Sequence, residues 1–323
     1  MGGHIAIWTP ATPHSRSGNR VTALRIALLL RRAGRTVSLH GPGEAGAARA
    51  DVLLALHAFK CARVARRWRM ERGAAPLVVL LSGTDLYVDA LEPATRADFS
   101  ATLATATRVV ALQPRALVGL PPEIVAKTRV ILQSARPWPG GAPSGPRFDV
   151  VQLAHLRAVK DPLLAAHAAR LLPRASRLQV RHLGAALDPE LAAEARAEME
   201  RNPRYHWLGE RPRADALQLV AGARAFVQTS RAEGGSNAVV EALVSGTPVL
   251  ATRIEGNVGQ LGADHPGLFE VGDAQALAAL LERLEREPAL ERSLRARSGE
   301  LAARYAPERE SEAWRALLAE FGL

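Results

Sequence analysis

Short apolar runs alternate with amphipathic stretches along the chain, as expected where β-strands and helices follow one another. In the first half, residues 5–8 (IAIW), 36–40, 52–56, 77–81, 108–111 and 130–133 read as strands. Val21, Leu24 and Leu28 mark one face of a helix ending near Gly34, and residues 57–72 read as a basic helix. The stretch 136–147 (RPWPGGAPSGPR), with four prolines and three glycines, reads as a linker. Beyond it the pattern restarts, with strands over 149–154, 178–183, 205–208, 225–228 and 249–251. Helices are expected over 162–171, 238–244, 274–286 and 288–305, with Pro288 suited to a first helical position. A last helix, 308–321, has no strand after it and is expected to pack back across the first half. The fold class is therefore α/β: two doubly wound, Rossmann-like domains facing a cleft, over residues 1–140 and 148–305, followed by a crossover helix over 306–323. Such sheets bind ligands at the carboxyl ends of their strands.

Composition narrows the partners. The chain of 323 residues carries a formal charge of +10, yet only three lysines (Lys60, Lys127, Lys160), and no five basic residues occur in a row. Arginines scattered along helices, without interleaved aromatics, argue against nucleic acid. A single cysteine, Cys61, excludes a disulfide framework and fits a reducing compartment. The start MGGHIAIWTP lacks the features of a secretory signal, and no apolar run reaches the length of about 18 residues that a membrane span needs. A cytoplasmic protein without stable membrane association is expected. The histidines show no metal-ligand spacing.

The segment 229–252 (TSRAEGGSNAVVEALVSGTPVLAT) carries the most chemistry. Gly234 and Gly235 allow a sharp turn and close approach to a ligand. Ser236 and Asn237 can cap the helix that follows, whose free N–H groups favour an anion. Glu241 lies one turn further on the face of Asn237, where its carboxylate could take two ribose hydroxyls. A second motif, HLRAVKDP, follows the first strand of the second domain. Its Arg157 and Lys160 can neutralise a diphosphate without metal. In the first domain, the loop Ser15-Arg16-Ser17-Gly18-Asn19-Arg20 enters the first helix with two guanidinium groups suited to an oxyanion. Ser82, Gly83, Thr84 and Asp85 end a strand and should face the same ligand-binding region. His57 and Lys60 lie one turn apart on the expected basic helix.

Together, Arg157, Lys160 and the E-x7-E pair Glu233 and Glu241 resemble the donor site of family 4 glycosyltransferases with the two-domain B-type (GT-B) fold. The blocks HSRSGNRVTALR, ALHAFKCA, LSGTDLY, ALQPRA and LAHLRAVKDP resemble, more narrowly, the selenosugar synthases of selenoneine biosynthesis. The resemblance implies transfer of a sugar from UDP-N-acetylglucosamine or UDP-glucose to selenophosphate, giving a 1-selenosugar, with no cofactor and no metal. It gives Arg157, Lys160 and Glu233 catalytic parts. Gly209, Glu210, Arg211, Gly234, Gly235, Ser236, Asn237 and Glu241 would bind the donor. Arg16, Ser17, Gly18, Asn19, Arg20, Ser82, Gly83, Thr84 and Asp85 would bind the acceptor. Ser82 stands where many family 4 enzymes carry a histidine, which fits a selenium nucleophile that is already ionised. An alternative is an ordinary family 4 enzyme with a lipid or small-molecule hydroxyl acceptor. For a membrane acceptor, the basic stretch 57–72 with its Trp68 would serve as the amphipathic helix.

Overall fold

The computed structural model describes residues 3–44, 49–139 and 147–323. Two compact units emerge: Met1–Ser134 with Glu233–Asn237 and Ala306–Leu323, and Ala135–Ala232 with Ala238–Tyr305. The first contains β1 (His4–Trp8), α1 (Gly18–Arg32), β2 (Thr36–His40), β3 (Val52–Leu56), α2 (Ala62–Arg72), β4 (Leu77–Leu80), α3 (Pro93–Thr105), β5 (Arg108–Ala111), α4 (Pro122–Ala126) and β6 (Thr128–Val130). The second contains β7 (Phe148–Leu153), α5 (Leu164–Leu171), β8 (Leu178–Leu183), α6 (Pro189–Arg201), β9 (Tyr205–Trp207), α7 (Arg213–Ala221) and β10 (Ala225–Gln228), then α8 (Asn237–Val244), β11 (Val249–Thr252), α9 (Glu255–Leu261), β12 (Leu268–Phe269), α10 (Ala274–Arg286) and α11 (Pro288–Ala302). Finally α12 (Pro307–Ala319) belongs to the first unit.

Each unit holds a six-stranded parallel sheet, ordered β2-β1-β3-β4-β5-β6 in the first and β12-β11-β10-β7-β8-β9 in the second. The central strands are buried on both faces, as parallel sheets covered by helices require, which is why they read as plain apolar runs. Alternate residues of β1 divide between two core layers. Ala6 and Trp8 pack with Leu53, Leu77 and Phe99, whereas Ile5 and Ile7 pack with Ile26, Leu54 and Trp314. The 308–321 helix expected to return to the first half is α12, and its Trp314, Leu317 and Leu318 complete that second layer.

Several expected elements shift. The face of α1 that turns inward carries Ala23, Ile26, Ala27 and Leu30, while Leu24 and Leu28 stand exposed. Small residues let the helix lie close over the sheet, so volume outranks hydrophobicity there. The basic helix begins at Ala62, because residues 57–61 form a turn in which His57 has φ of 75°. The strand expected at 130–133 lies at Thr128–Val130. The 136–147 linker falls partly outside the described residues.

Candidate functional site

In a doubly wound sheet ligands bind where the winding reverses, beyond the carboxyl ends of the two strands at that point. In the second unit those strands are β7 and β10, which pair directly. The loop after β7 holds Arg157 and Lys160 about a short 3-10 turn, Ala158–Lys160, that closes on Asp161 with φ of 43°. Three bonds fasten this turn to the end of β10. Thr229 Oγ1 donates to the Lys160 carbonyl at 2.8 Å, the Arg231 N–H donates to the Val159 carbonyl at 2.9 Å, and the Arg231 guanidinium pairs with Asp161 at 2.8 Å. Arg157 is exposed and Lys160 half-buried, so two cations stand beside the segment that leads to Glu233.

Glu241 is buried in the second turn of α8, and Arg213, at the start of α7, holds its Oε1 at 2.5 Å. The sequence reading missed Arg213, because nothing in the spacing links it to Glu241. Gly209, with φ of 69°, accepts the Gly184 N–H at 3.0 Å, while Glu210 and Arg211 lie exposed past β9 at the edge of the sheet. Beneath, the strand ends are held by His182, whose Nε2 lies 2.8 Å from the Ala154 carbonyl and whose Nδ1 lies 2.7 Å from the Tyr205 hydroxyl. A carbonyl only accepts, so Nε2 carries the proton and Nδ1 accepts from tyrosine. Burial pushes the His182 pKa down to about 4, keeping the ring neutral.

The first sheet reverses between β1 and β3. The loop after β1 enters α1 through Ser17, whose N–H donates to Ser15 Oγ at 3.1 Å. Arg16 and Gly18 are exposed, Asn19 is half-buried, and Arg20 is half-buried with its Nε out of solvent and without a hydrogen-bond partner. Residues 233–237 pack in this unit. A Cβ on Gly234 would sit 2.6 Å from the Gly83 nitrogen, and one on Gly235 would sit 2.8 Å from Leu112 Cβ, so the Gly-Gly pair is required by close packing. Half-buried Glu233 precedes this pair and Ser236, which is buried, follows it.

The side chains of two expected site residues are engaged within the protein. Asn237 was expected to donate from its helix start to the donor. Its side chain is engaged with α1, where Oδ1 accepts from Arg25 at 2.6 Å and Nδ2 donates to Thr22 Oγ1 at 3.2 Å, which leaves its backbone N–H as the group for that role. Asp85 was expected to bind the acceptor. Its fully buried carboxylate accepts the N–H groups of Ala58, Ser82, Gly83 and Leu86 at 2.7–3.0 Å, so it shapes the loop and does not meet a ligand. Ser82 Oγ is buried without a hydrogen-bond partner, and Thr84 Oγ1 lies 3.0 Å from His57 Nε2. Arg25, absent from the expected site, links Asn237 to Glu310 of α12 at 2.9 Å. Trp68 is buried and donates to the Ala75 carbonyl at 3.2 Å, so it offers no aromatic anchor to a membrane. Among the described residues no helix is long and apolar enough to cross a membrane, and no group of three or more His, Cys, Asp or Glu could hold a metal ion.

The model of the family "Glycosyl transferases group 1" matches residues 141–302. The glycosyltransferase 1 domain-containing protein 1 of Xenopus tropicalis is 25% identical over 308 residues, covering 87% of each chain. The crystal structure of Anabaena Alr3699/HepE in complex with UDP and glucose is similar with a TM-score of 0.79 and 18% identity, spanning 98% of this chain and 100% of that one. Sucrose-phosphate synthase from Thermosynechococcus elongatus is similar with a TM-score of 0.78 and 16% identity, over 99% of each chain. At these identities the structural likeness is one of fold, and that fold is the two-domain GT-B architecture.

Proposed function

The chain belongs to the group 1 glycosyl transferases, and from that membership we propose that it moves a sugar from a UDP-sugar to selenophosphate. The observation that carries the donor half is the fastening of the Arg157–Lys160 turn to the end of β10, at the reversal point of the second sheet. Arg157 and Lys160 hold the diphosphate, aided by backbone N–H groups at the start of α8, and Glu241 takes the ribose hydroxyls. Gly209, Glu210 and Arg211 line the uracil. Glu233, Gly234 and Gly235 face the transferred sugar, UDP-N-acetylglucosamine or UDP-glucose being the donor. A similar structure contains UDP and glucose, which supports this donor class.

On the acceptor side, Arg16 and Arg20 hold the anionic selenophosphate beside Ser17, Gly18, Asn19 and the turn of Ser82, Gly83 and Thr84. A selenium lone pair attacks the anomeric carbon, the bond from that carbon to the diphosphate oxygen breaks, and UDP leaves with the electron pair; water then cleaves the Se–P bond of the product, giving the 1-selenosugar and phosphate. The nucleophile is already ionised, so a hydroxyl at Ser82 in place of a histidine costs the reaction no base. The test is incubation with selenophosphate and a panel of UDP-sugars in EDTA, with products read by mass spectrometry. A selenosugar formed in EDTA is expected. Transfer to a lipid or sugar hydroxyl, with none to selenophosphate, would instead make this an ordinary group 1 enzyme.

A further inference from the structure

His57 follows β3, one of the two strands at which the first sheet reverses, and belongs to no role described so far. Its φ of 75° is rare for a residue with a Cβ. Hydrogen bonds on both sides hold that backbone: its N–H donates to the Leu80 carbonyl at 2.9 Å, its carbonyl accepts the Cys61 N–H at 2.9 Å, and the next N–H, of Ala58, donates to Asp85 at 2.8 Å. The conformation turns the ring into the protein, where it is 1% exposed. Two polar groups then meet Nε2. Thr84 Oγ1 lies 3.0 Å away, and Asp89 Oδ2 lies 3.6 Å away, buried and without a hydrogen-bond partner. On the other side, Nδ1 faces the Lys60 N–H at 3.4 Å.

We propose that His57 is a positioning residue that holds the Thr84 hydroxyl as a hydrogen-bond donor towards the reacting groups. This deepens the transferase reading above and rests on it. Nδ1 accepts the Lys60 N–H, so the ring proton sits on Nε2 and is given to Thr84 Oγ1. A hydroxyl that accepts there has its own proton to give elsewhere. Thr84 adjoins Gly83, whose backbone packs on Gly234, next to Glu233. The imidazole thus acts through one hydroxyl on the turn that carries Ser82 and touches the glycine pair. The arrangement needs a neutral ring. Burial lowers the His57 pKa, outweighing Asp85 and Asp89, which raise it, and Lys60 lowers it further. Burial also raises the Asp89 carboxyl. Once acid protonates the ring, Nδ1 also carries a proton that opposes the Lys60 N–H, and the charged ring is drawn towards Asp89 and away from Thr84.

The test compares wild type, Thr84→Val, His57→Ala, His57→Gln and the Ala/Val double variant. UDP release from UDP-N-acetylglucosamine is followed with selenophosphate and, separately, with water as acceptor, alongside UDP calorimetry and thermal melting. Thr84→Val should lower kcat about tenfold, with UDP affinity and melting temperature kept. The double variant should be no slower than Thr84→Val, since both remove one interaction. His57→Gln, which can still donate, should recover part of the loss in His57→Ala. Wild type should lose kcat in acid, at a pH below the ordinary histidine pKa of about 6.5, and Thr84→Val should show no such fall. Wild-type kcat in Thr84→Val, additive losses, or losses that track melting temperature would each overturn the proposal. If UDP is released with water and not with selenophosphate, the acceptor reading fails, and the His57 effect is read from the water reaction.

Discussion

A methyl group on Gly184 would sit 1.8 Å from the Ala154 carbonyl oxygen, so the chain can pass between β7 and β9 at this height only without a side chain. Gly184→Ala should cost about 1–3 kcal/mol through forced backbone movement, and because Ala154 leads directly into the Arg157 loop, UDP affinity should fall as well. Melting and calorimetry check the two effects. Lys160→Ala should remove charge compensation as the diphosphate bond breaks, raising the barrier by about 2–4 kcal/mol, whereas Glu241→Ala should mainly weaken nucleotide binding. Steady-state kinetics beside UDP calorimetry separates them, and near wild-type values in both variants would remove the donor assignment. Removing charge at Arg16 or Arg20 should raise the KM for selenophosphate roughly tenfold and leave UDP binding alone, since one charge-assisted contact is worth about 1.5–3 kcal/mol. At this scale, the places of Lys160 after β7 and of Glu241 on the helix after β10 were legible because strands and helices alternate there. The side-chain bonds of Asn237 and Asp85 were not legible because their partners, Arg25 and the N–H of Ala58, lie 212 and 27 residues away.

Between elements, the ion pair of α1 with α12 sets the pattern. Glu310 is 2% exposed and accepts from Arg25, from the Ser134 N–H at 2.6 Å and from Ser134 Oγ at 2.6 Å. Glu310→Gln leaves Arg25 facing a neutral amide in a buried setting, and should cost about 3–5 kcal/mol, the penalty for breaking a buried pair on one side. Urea unfolding measures it, and a loss below 1 kcal/mol would mean that packing of Trp314 and Leu317 alone holds α12. Strands were legible because burial on both faces leaves uniform apolar runs. The helix α6 was not, because its inward residues are Ala192, Ala195 and Glu198, and small or polar side chains write a weak periodic signal.

For the molecule as a whole, buried neutral histidines set the response to acid. His182 and His265 are both lowered by burial to about 4, and His57 is lowered too. A depressed histidine contributes fully above its unfolded pKa of about 6.5, and that contribution is lost as pH falls towards the folded value. For His182 the whole loss is about 3 kcal/mol. The melting temperature should therefore drop between pH 6.5 and 4, and a flat profile would show that these rings take up no protons on unfolding. The charge of +10 says less about partners than its size suggests, since many arginines pair along exposed helix faces, as in Arg67 with Glu71 and Arg283 with Glu287. Two sheets and a returning helix were legible from alternation alone, but which residues lie across from which was not, since strand order is written in pairings remote along the chain.

That returning helix also fixes an order of assembly. Ile5, Leu54 and Val78 share a core layer with Trp314 and Leu318. On the ribosome, residues 135–305 are made complete with every strand of their sheet, while the earlier-made sheet keeps part of one apolar flank, beside α1, uncovered until α12 follows. The part synthesised first is thus the part finished last, and during that interval its open flank is the surface a chaperone would meet.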